Sequence, residues 1–392
     1  MRSDVRSDKR LVLLFYCQHS LGIGHLTRSF ALATALAEAF RVVFLNGGRL
    51  PPGLPVPAGI EIIDLPALGM DDGHTVVSRD AAHDVAQAVA ARRALIESAV
   101  LRHRPAVLLV ELFPFGRKKF AAEILGMIRL ARRQPGGPAR VVCSLRDILV
   151  DARPDQQRHD DRARGLTDRY FDAVLVHADP ALARLEDSFK PRRPLRSPVH
   201  YTGYVVPARA RVNPVARGDH LLVSAGGGIV GEALLRTALQ ARALLHRPPP
   251  MRLIAGPFLP EPQWRALQER AFCQPGIELL RQVPDMVAEM RQARASISQC
   301  GYNTALDILV AQVPALVVPY ATATENEQGE CAARLTALGA MQQLDAAALD
   351  PERLAAAIET LLAFTPRAAA LALDGAQESA LHLQRLLWGR AT

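Results

Sequence analysis

A short loop after the first apolar run of the chain carries two glycines and a histidine. Gly22, Gly24 and His25 follow the run LVLLFYC at 11–17. Glycines at such a turn allow positive φ and let a ligand approach the backbone closely. The helix expected to begin here has a positive dipole end, which favours a neutral His25. A neutral imidazole could take a proton from a hydroxyl group, and a capping or packing histidine is the alternative.

The same loop argues against a nicotinamide cofactor. A dinucleotide fingerprint needs a third glycine at position 27, where the chain has Thr27, and an acidic residue at the end of the second strand. That strand leads instead to Asn46 and two glycines. His19, on the same loop, is a second candidate for proton transfer.

A second glycine-rich turn lies in the other half of the chain. Ser224 ends an apolar run, and Gly226, Gly227 and Gly228 follow it. Three consecutive glycines cost backbone entropy, and contact between backbone N–H groups and a phosphate is a physical reason for them. A plain strand-to-helix turn is the alternative.

A block at 298–328 carries further residues with ligand chemistry. Gly301 allows the backbone to turn after a strand that ends at Ser298, and Asn303 and Thr304 fall in the first turn of the next helix, where they can meet an oxyanion. Asp307 lies one turn further on the same face, where a carboxylate can accept from ribose hydroxyls or lie in solvent. The loop after the next strand carries groups suited to sugar hydroxyls, namely Glu325, Asn326 and Gln328.

These loops require strands and helices that bring their ends together. Short apolar runs alternate with longer helical stretches, which predicts an α/β protein with two Rossmann-like domains. The expected division is an N-terminal Rossmann-like domain at 1–206, a linker at 207–218 and a C-terminal Rossmann-like domain at 219–365. A C-terminal helix at 366–392 completes the chain, and its packing against the first domain stays open.

Size and composition limit the class of protein. The 392 residues exceed what one hydrophobic core usually supports, so two domains are expected. The net charge of +8 fits an anionic partner, or only an arginine-rich composition. Basic and aromatic residues do not interleave, which argues against a nucleic-acid partner.

The cysteines and the short apolar runs indicate a cytoplasmic protein. The five cysteines are scattered, form no C-x-x-C pair and lack zinc spacing, as expected in a reducing compartment. No D-x-D metal motif stands at a strand end, and no apolar run reaches the roughly 18 residues of a membrane span. Peripheral contact with the inner membrane face stays open.

The 298–328 block resembles the donor-binding half of family 28-type GT-B glycosyltransferases, which include the peptidoglycan N-acetylglucosaminyltransferase. The family pattern S-x-x-G-x-x-T-x-x-E falls on Ser298, Gly301, Thr304 and Asp307, whose carboxylate is shorter than the family's glutamate. The resemblance implies a GT-B fold, with two parallel sheets facing each other across a cleft. It also implies a nucleotide diphosphate sugar, UDP-linked, as co-substrate, with no cofactor.

Other segments resemble the family as well. The Gly-Ile-Gly-His loop is similar to its N-terminal glycine loop, which implies that His25 is the base. The segment 283–286 is similar to the family's segment beside the nucleotide base, which brings Met286 into the donor site. The segments 111–117 and 144–147 resemble a bacterial branch of predicted glycosyltransferases. Both are expected to face the cleft, where Glu111 could assist the base or bind the acceptor. The expected acceptor contacts come from Gly22, Gly24, Arg117, Arg146 and Asp147.

The sequence therefore predicts an inverting, metal-independent glycosyltransferase. The acceptor hydroxyl could belong to a glycan, a lipid-linked molecule or a small molecule. The same architecture serves nucleotide-sugar hydrolases, in which the histidine activates water, and epimerases. A non-catalytic nucleotide-sugar-binding protein is the remaining alternative.

Overall fold

The computed structural model describes residues 10–19, 24–51, 54–71, 75–146, 149, 155–207, 216–228, 230–320 and 327–389. Within these ranges the chain forms two parallel β-sheets, one after the other, and each is covered by helices on both faces. The predicted α/β class with two parallel sheets is therefore confirmed.

The first half of the chain contains nine strands and five α-helices within the described ranges. The strands are β1 (Val12–Cys17), β2 (Arg41–Asn46), β3 (Glu61–Asp64), β4 (Leu68–Met70), β5 (Val76–Ser78), β6 (Val107–Glu111), β7 (Arg140–Arg146), β8 (Ala173–His177) and β9 (Val199–Tyr201). The helices are α1 (Gly24–Leu36), α2 (Val85–His103), α3 (Ala121–Arg132), α4 (Gln156–Tyr170) and α5 (Leu185–Ser188), with a 3₁₀ turn at Lys118–Phe120. Seven strands pair in the order β3-β2-β1-β6-β7-β8-β9, and β4 and β5 form a separate antiparallel pair that the apolar pattern did not predict.

In its described residues the second half repeats the arrangement with six strands, in the order β12-β11-β10-β13-β14-β15. The strands are β10 (Leu221–Ser224), β11 (Met251–Ile254), β12 (Ile277–Leu280), β13 (Ala295–Ser298), β14 (Ala315–Val317) and β15 (Gln342–Gln343). The helices are α6 (Glu232–Leu244), α7 (Glu261–Phe272), α8 (Met286–Gln292), α9 (Tyr302–Ala311), α10 (Glu327–Ala337), α11 (Pro351–Leu362) and α12 (Gly375–Trp388), with a 3₁₀ turn at Ala346–Ala348.

Both faces of each sheet are buried, which explains why the strands are continuous apolar runs. Leu14 and Tyr16 of β1 belong to one apolar cluster, whereas Leu13 and Phe15 belong to the cluster on the opposite face. Side chains of a strand alternate between faces, so a strand covered on both sides is apolar at most positions. None of the helices in the described ranges has the length and apolar character that a membrane crossing needs.

The strand orders identify where each sheet can bind a ligand. In the first sheet the order reverses between β1 and β6, and in the second it reverses between β10 and β13. The connections leave these neighbouring strands in opposite directions, which opens a crevice beyond their carboxyl ends. Of the described residues, 18–19, 24 and 112–117 lie there in the first half, and 225–228, 230–231 and 299–301 in the second.

The two halves dock through helix α9 of the second half. Leu306 is part of the apolar cluster of the first sheet, and Tyr302 and Leu309 pack against that cluster. Their spacing places them along one face of the helix. On α10, Arg334 adds a hydrogen bond of 2.9 Å to the carbonyl oxygen of Leu182.

The C-terminal segment returns to the first half. The backbone N–H of Tyr204 donates to the carbonyl oxygen of Ala372 (2.8 Å), and Val205 forms an isolated antiparallel bridge with Asp374. Beyond this point α12 packs against α1, and Ala376 and Leu383 lie in the same apolar cluster as β1. Helix α12 thus covers part of one face of the first sheet.

A buried arginine ties the carboxyl ends of β1 and β2 to the helices behind them. The Arg92 side chain on α2 is 0% exposed and forms an ion pair of 2.6 Å with Glu123 on α3. It also donates to the Gln18 side chain (2.7 Å) and to the carbonyl oxygens of Gly47 and Pro66. A buried cation is tolerated only when it is paired and its donors are satisfied, and Arg92 meets both conditions.

Removing the Arg92 cation should destabilise the first half of the protein strongly. Arg92→Met leaves Glu123, which is 8% exposed, without its counter-charge, and such a loss costs about 3–5 kcal/mol. We expect the melting temperature in a calorimetric scan to fall by roughly 6–20 °C. Arg93→Met, which removes an exposed guanidinium paired with Glu97, is the matched control and should change it by about 1 °C or less. A small shift for Arg92→Met would contradict this account.

Candidate active site

A histidine and a glutamate meet at the carboxyl end of the first sheet. His25 is the second residue of α1, and Glu111 is the last residue of β6, which pairs directly with β1. His25 Nδ1 lies 2.6 Å from Glu111 Oε1, and the His25 and Glu111 side chains are 20% and 0% exposed. Because a carboxylate only accepts, Nδ1–H donates, and Nε2 remains as a lone-pair acceptor.

The surroundings keep His25 neutral and Glu111 ionised. Burial, with smaller contributions from Arg117 and Arg28, lowers the pKa of His25 to about 4 against the opposing influence of Glu111. Burial alone would raise the pKa of Glu111, but His25, Arg117 and Arg28 outweigh it and hold that pKa well below its usual range. A neutral imidazole oriented by a carboxylate is the arrangement that general-base catalysis requires.

Two arginines face the single carboxylate of Glu111. Arg28 Nη2 donates to Oε1 (2.7 Å), and Arg117 Nε lies 3.7 Å from Oε2. The loop that returns Arg117 to Glu111 contains two residues in left-handed conformations, Leu112 (φ 63) and Arg117 (φ 58). With His25 neutral, this cluster carries one more positive than negative charge. Arg117 Nε and Nη2 are buried without a hydrogen-bond partner in the described part of the chain.

The second sheet presents an open glycine loop at its own crevice. Gly226 (φ 57) and Gly228 (φ 94) adopt left-handed conformations, and a Cβ at Gly228 would lie 2.5 Å from the carbonyl oxygen of Ala255. A Cβ at Gly226 would instead meet nothing within 4 Å, so this residue faces open space. The buried Ser298 hydroxyl, at the end of β13, has no hydrogen-bond partner among the described residues.

Helix α9 begins beside this loop with its first turn uncapped. Gly301 is the N-cap and provides no side-chain hydrogen bond. The Asn303 side chain crosses to the other half of the molecule, where Nδ2 donates to the carbonyl oxygen of Gly24 (3.2 Å). The helix that carries His25 and the N-terminus of α9 are therefore in direct contact. Unpaired N–H groups and the helix dipole make such an N-terminus suited to an anion.

Other residues predicted to bind the nucleotide sugar lie on α9 or close to it. Burial and then the charge of Asp285 raise the pKa of Asp307 to about 7. The Asp285 side chain also caps α8, which begins at Met286, by accepting from the N–H of Ala288. Gln328 Oε1 accepts from the backbone N–H groups of Cys300 and Tyr320, both at 3.1 Å, so its oxygen joins two loops.

The structure brings several predicted residues together without testing their roles. His25, Glu111, Arg117, Gly24 and Asn303 form one cluster, and the predicted roles in it stay predictions. Arg146 pairs with Glu327 on α10 (2.9 Å), so it bridges the two halves instead of lying free for an acceptor. His19 lies within 3.0 Å of the Asn46 side chain. Four predicted residues lie outside the described ranges: Gly22, Asp147, Glu325 and Asn326.

The sequence interpretation assigned no role to Arg28, Tyr302 or Glu327. Arg28 lies three residues after His25 and hence on the same face of α1, a spacing that could have indicated a shared partner. Tyr302 and Glu327 make contacts between the two halves, which no pattern in the neighbouring sequence predicts. Within the described ranges, no group of three or more His, Cys, Asp and Glu residues could hold a metal ion.

Comparisons with known proteins agree with this architecture. Residues 250–386 match the model of the glycosyltransferase family 28 C-terminal domain. The UDP-N-acetylglucosamine--N-acetylmuramyl-(pentapeptide) pyrophosphoryl-undecaprenol N-acetylglucosamine transferase of Methylobacterium radiotolerans is 31% identical over 158 residues, 40% of each chain. Its counterpart in Mesorhizobium japonicum is 41% identical over 88 residues, 22% of this chain and 24% of the relative. The chain thus spans two fifths or less of these relatives.

Solved structures extend the similarity to the whole fold. Acinetobacter baumannii MurG superposes with a TM-score of 0.58 at 17% identity, covering 96% of this chain and 99% of its own. The calicheamicin glycosyltransferase CalG4 gives 0.57 at 18% identity, with 97% and 95% covered. The predicted GT-B fold is confirmed.

The buried histidines should make the stability depend on pH. Burial lowers the pKa of His25 to about 4 and that of His177 to about 3, so from pH 6.5 down to 4 the unfolded chain binds protons that the folded chain does not. Their contribution to stability is complete above pH 6.5 and is lost as the pH falls. His25→Gln should flatten the slope of unfolding free energy near pH 5 by about 1.4 kcal/mol per pH unit. Melting temperatures across this range test it, with the exposed His246→Gln as control; an unchanged slope would refute it.

Proposed function

We propose that this chain, which has the GT-B fold and carries a glycosyltransferase family 28 C-terminal domain, transfers a sugar from a nucleotide diphosphate to an acceptor hydroxyl. The observation that carries the proposal is the contact between the two crevices. The His25–Glu111 pair and the uncapped N-terminus of α9 meet at the hydrogen bond between Asn303 and Gly24. A base for the acceptor and an anion site for the donor are thereby adjacent.

The base is His25, acting through Nε2. Glu111 accepts from Nδ1–H, fixes the tautomer and stabilises the imidazolium that forms when the acceptor hydroxyl loses its proton. The hydroxyl oxygen then attacks the anomeric carbon, and the bond from that carbon to the diphosphate breaks. A single displacement of this kind inverts the configuration at the anomeric carbon.

The diphosphate leaves toward the second half. Gly226 and the first turn of α9 offer backbone N–H groups, and the helix dipole stabilises the negative charge that develops on the leaving oxygen. We propose that this stabilisation makes a divalent cation unnecessary. Asp307 would accept from the ribose hydroxyls, and a donating hydroxyl would favour its ionised form. Both relatives reported above carry UDP-N-acetylglucosamine in their names, which supports UDP as the nucleotide.

The acceptor lies against the first half and carries an anionic group. The surplus charge around Glu111 and the unpartnered nitrogens of Arg117 favour a phosphate or carboxylate close to the reacting hydroxyl. The names of the relatives include a pyrophosphoryl-undecaprenol acceptor, which has this chemistry. We accordingly propose a lipid-linked acceptor, with the protein working at the cytoplasmic face of the inner membrane.

Nucleotide sugars should stabilise the folded protein. At a concentration 100 times Kd, a donor stabilises the native state by about 2.7 kcal/mol, which raises the melting temperature by roughly 5–10 °C. We expect UDP-sugars to do so in a screen that also contains GDP- and dTDP-sugars. No response to any of them would contradict the donor site.

A substitution at Gly301 tests where the diphosphate binds. Its φ is −66° and a Cβ there would meet nothing within 4 Å, so a side chain fits without strain. Gly301→Asp should stabilise α9 as an N-cap but repel a diphosphate, which should abolish the thermal shift. Gly301→Asn is the isosteric neutral control and should keep most of it. Equal shifts for both variants would place the phosphates elsewhere.

Loss of the base should reduce turnover without weakening donor binding. His25→Gln should lower kcat by about 10²–10⁴-fold, because proton removal from the hydroxyl is no longer assisted. Release of UDP from the donor, with and without a panel of lipid-phosphate and glycan acceptors, measures it; His83→Gln, on the surface of the same half, is the control. Unchanged turnover would refute the base assignment, and equal turnover without any acceptor would identify a hydrolase.

A further inference from the structure

Tyr302 belongs to the second half of the protein but has its contacts in the first. It is the first residue of α9, directly after the Gly301 N-cap. Its hydroxyl donates to the carbonyl oxygen of His177 (3.0 Å), and its ring centroid lies 6.0 Å from that of Tyr204. The first residue of α9 thus contacts the carboxyl ends of strands in the first sheet.

The acceptor of this hydrogen bond is held in place by the sheet. His177 is fully buried at the end of β8, and its two ring nitrogens lie 2.8 Å from Ser144 Oγ and 2.9 Å from Thr202 Oγ1. These hydroxyls stand on either side of β8, one at β7 and one just beyond β9. The His177 carbonyl therefore has little freedom, and it positions the Tyr302 ring reproducibly whenever α9 is docked.

The Tyr302 ring covers the guanidinium group of Arg28. The guanidinium carbon lies 5.3 Å from the ring centroid, the range of a cation–π contact. The Arg28 side chain is 2% exposed, its Nη2 donates to Glu111 Oε1, and its Nε has no hydrogen-bond partner among the described residues. The aromatic face thus compensates for part of the desolvation of this buried cation.

The contacts form a continuous path from the donor helix to the base. Tyr302 contacts Arg28, Arg28 donates to Glu111 Oε1, and the same oxygen accepts from His25 Nδ1. We propose that Tyr302 is a positioning residue that acts across the two halves: it holds Arg28 on Glu111, and so fixes the carboxylate that orients His25 only while α9 is docked. The catalytic meaning of this coupling rests on the proposed function, but the coupling itself can be measured without activity.

The charges around His25 determine what loss of the ring would do. His25 faces Glu111 from β6, Arg28 from its own helix and Arg117 from the loop after β6. Both arginines and burial lower the pKa of His25, whereas Glu111 raises it. When Arg28 is no longer held, its positive charge moves away, and His25 and Arg117 remain as the partners of Glu111. The pKa of His25 should then rise toward its usual value.

Nuclear magnetic resonance of ¹³C-histidine-labelled full-length protein tests the coupling directly. The His25 resonance is assigned from its loss in His25→Gln, and its pKa is measured in each variant. Tyr302→Leu, which removes the ring, should raise that pKa by about one unit or more. Tyr302→Phe, which keeps the ring and loses the hydroxyl, should raise it by less than about 0.3 units.

A control at the same interface separates the ring from domain docking in general. Arg334→Ala removes the hydrogen bond to Leu182 and the ion pair with Asp187 but leaves Tyr302 in place. It should leave the pKa of His25 unchanged. An unchanged pKa in Tyr302→Leu would overturn the proposal, as would equal rises in Tyr302→Leu and Arg334→Ala, or in Tyr302→Leu and Tyr302→Phe. Because no substrate is involved, none of these outcomes depends on His25 being the base.

Discussion

The carboxylate of Glu111 is the group on which the arrangement of the site depends. It is fully buried, and an ionised carboxylate in such a place must be surrounded by hydrogen-bond donors and positive charge. The chain provides these from its own helix α1, with His25 and Arg28, and from a loop that bends back through two left-handed residues to bring Arg117 close. The adjacency of β1 and β6 is what makes this possible, since it puts the end of one strand beside the start of the helix that follows the other.

The same carboxylate gives the interface between the halves a chemical role. A docked α9 contributes an apolar stripe to the core of the first sheet, as any packed helix does. Its first turn also places an aromatic ring on one of the cations that neutralise Glu111, and an amide on the backbone next to His25. Helix α9 therefore contributes at once to the packing between the halves, to the charge compensation of Glu111 and to the geometry of the site. The glycine that precedes this helix leaves its N-terminus open to a ligand.

The sequence alone predicted those parts of this arrangement that depend on local chemistry. The apolar runs predicted the buried strands, because a parallel sheet covered on both faces leaves few polar positions, and the run at 11–17 contains β1 (Val12–Cys17). Glycines after strands predicted the turns that Gly226 and Gly228 form with positive φ. The sequence did not predict the polar network of Arg92, because nothing in the local sequence distinguishes a buried arginine of a helix from one on the surface. Tyr302 was not predicted for a related reason, since its hydrogen-bond partner His177 lies 125 residues away along the chain.

The return of the C-terminal segment to the first sheet has a consequence for how such proteins can be recombined. The segment 372–388 pairs with the backbone near Tyr204 at its start and then, as α12, completes the apolar layer over α1. Along the sequence, however, all the strands of the second sheet lie between this segment and the rest of the first half. The N-terminal half is consequently a discontinuous unit. A chimera that joins this N-terminal half to the second half of another protein at 207–218 alone would pair α1 with a helix from that other protein. An exchange of halves between proteins therefore requires two junctions, one at each point where the chain passes from one half to the other. Helix α12 then stays with the sheet that it covers.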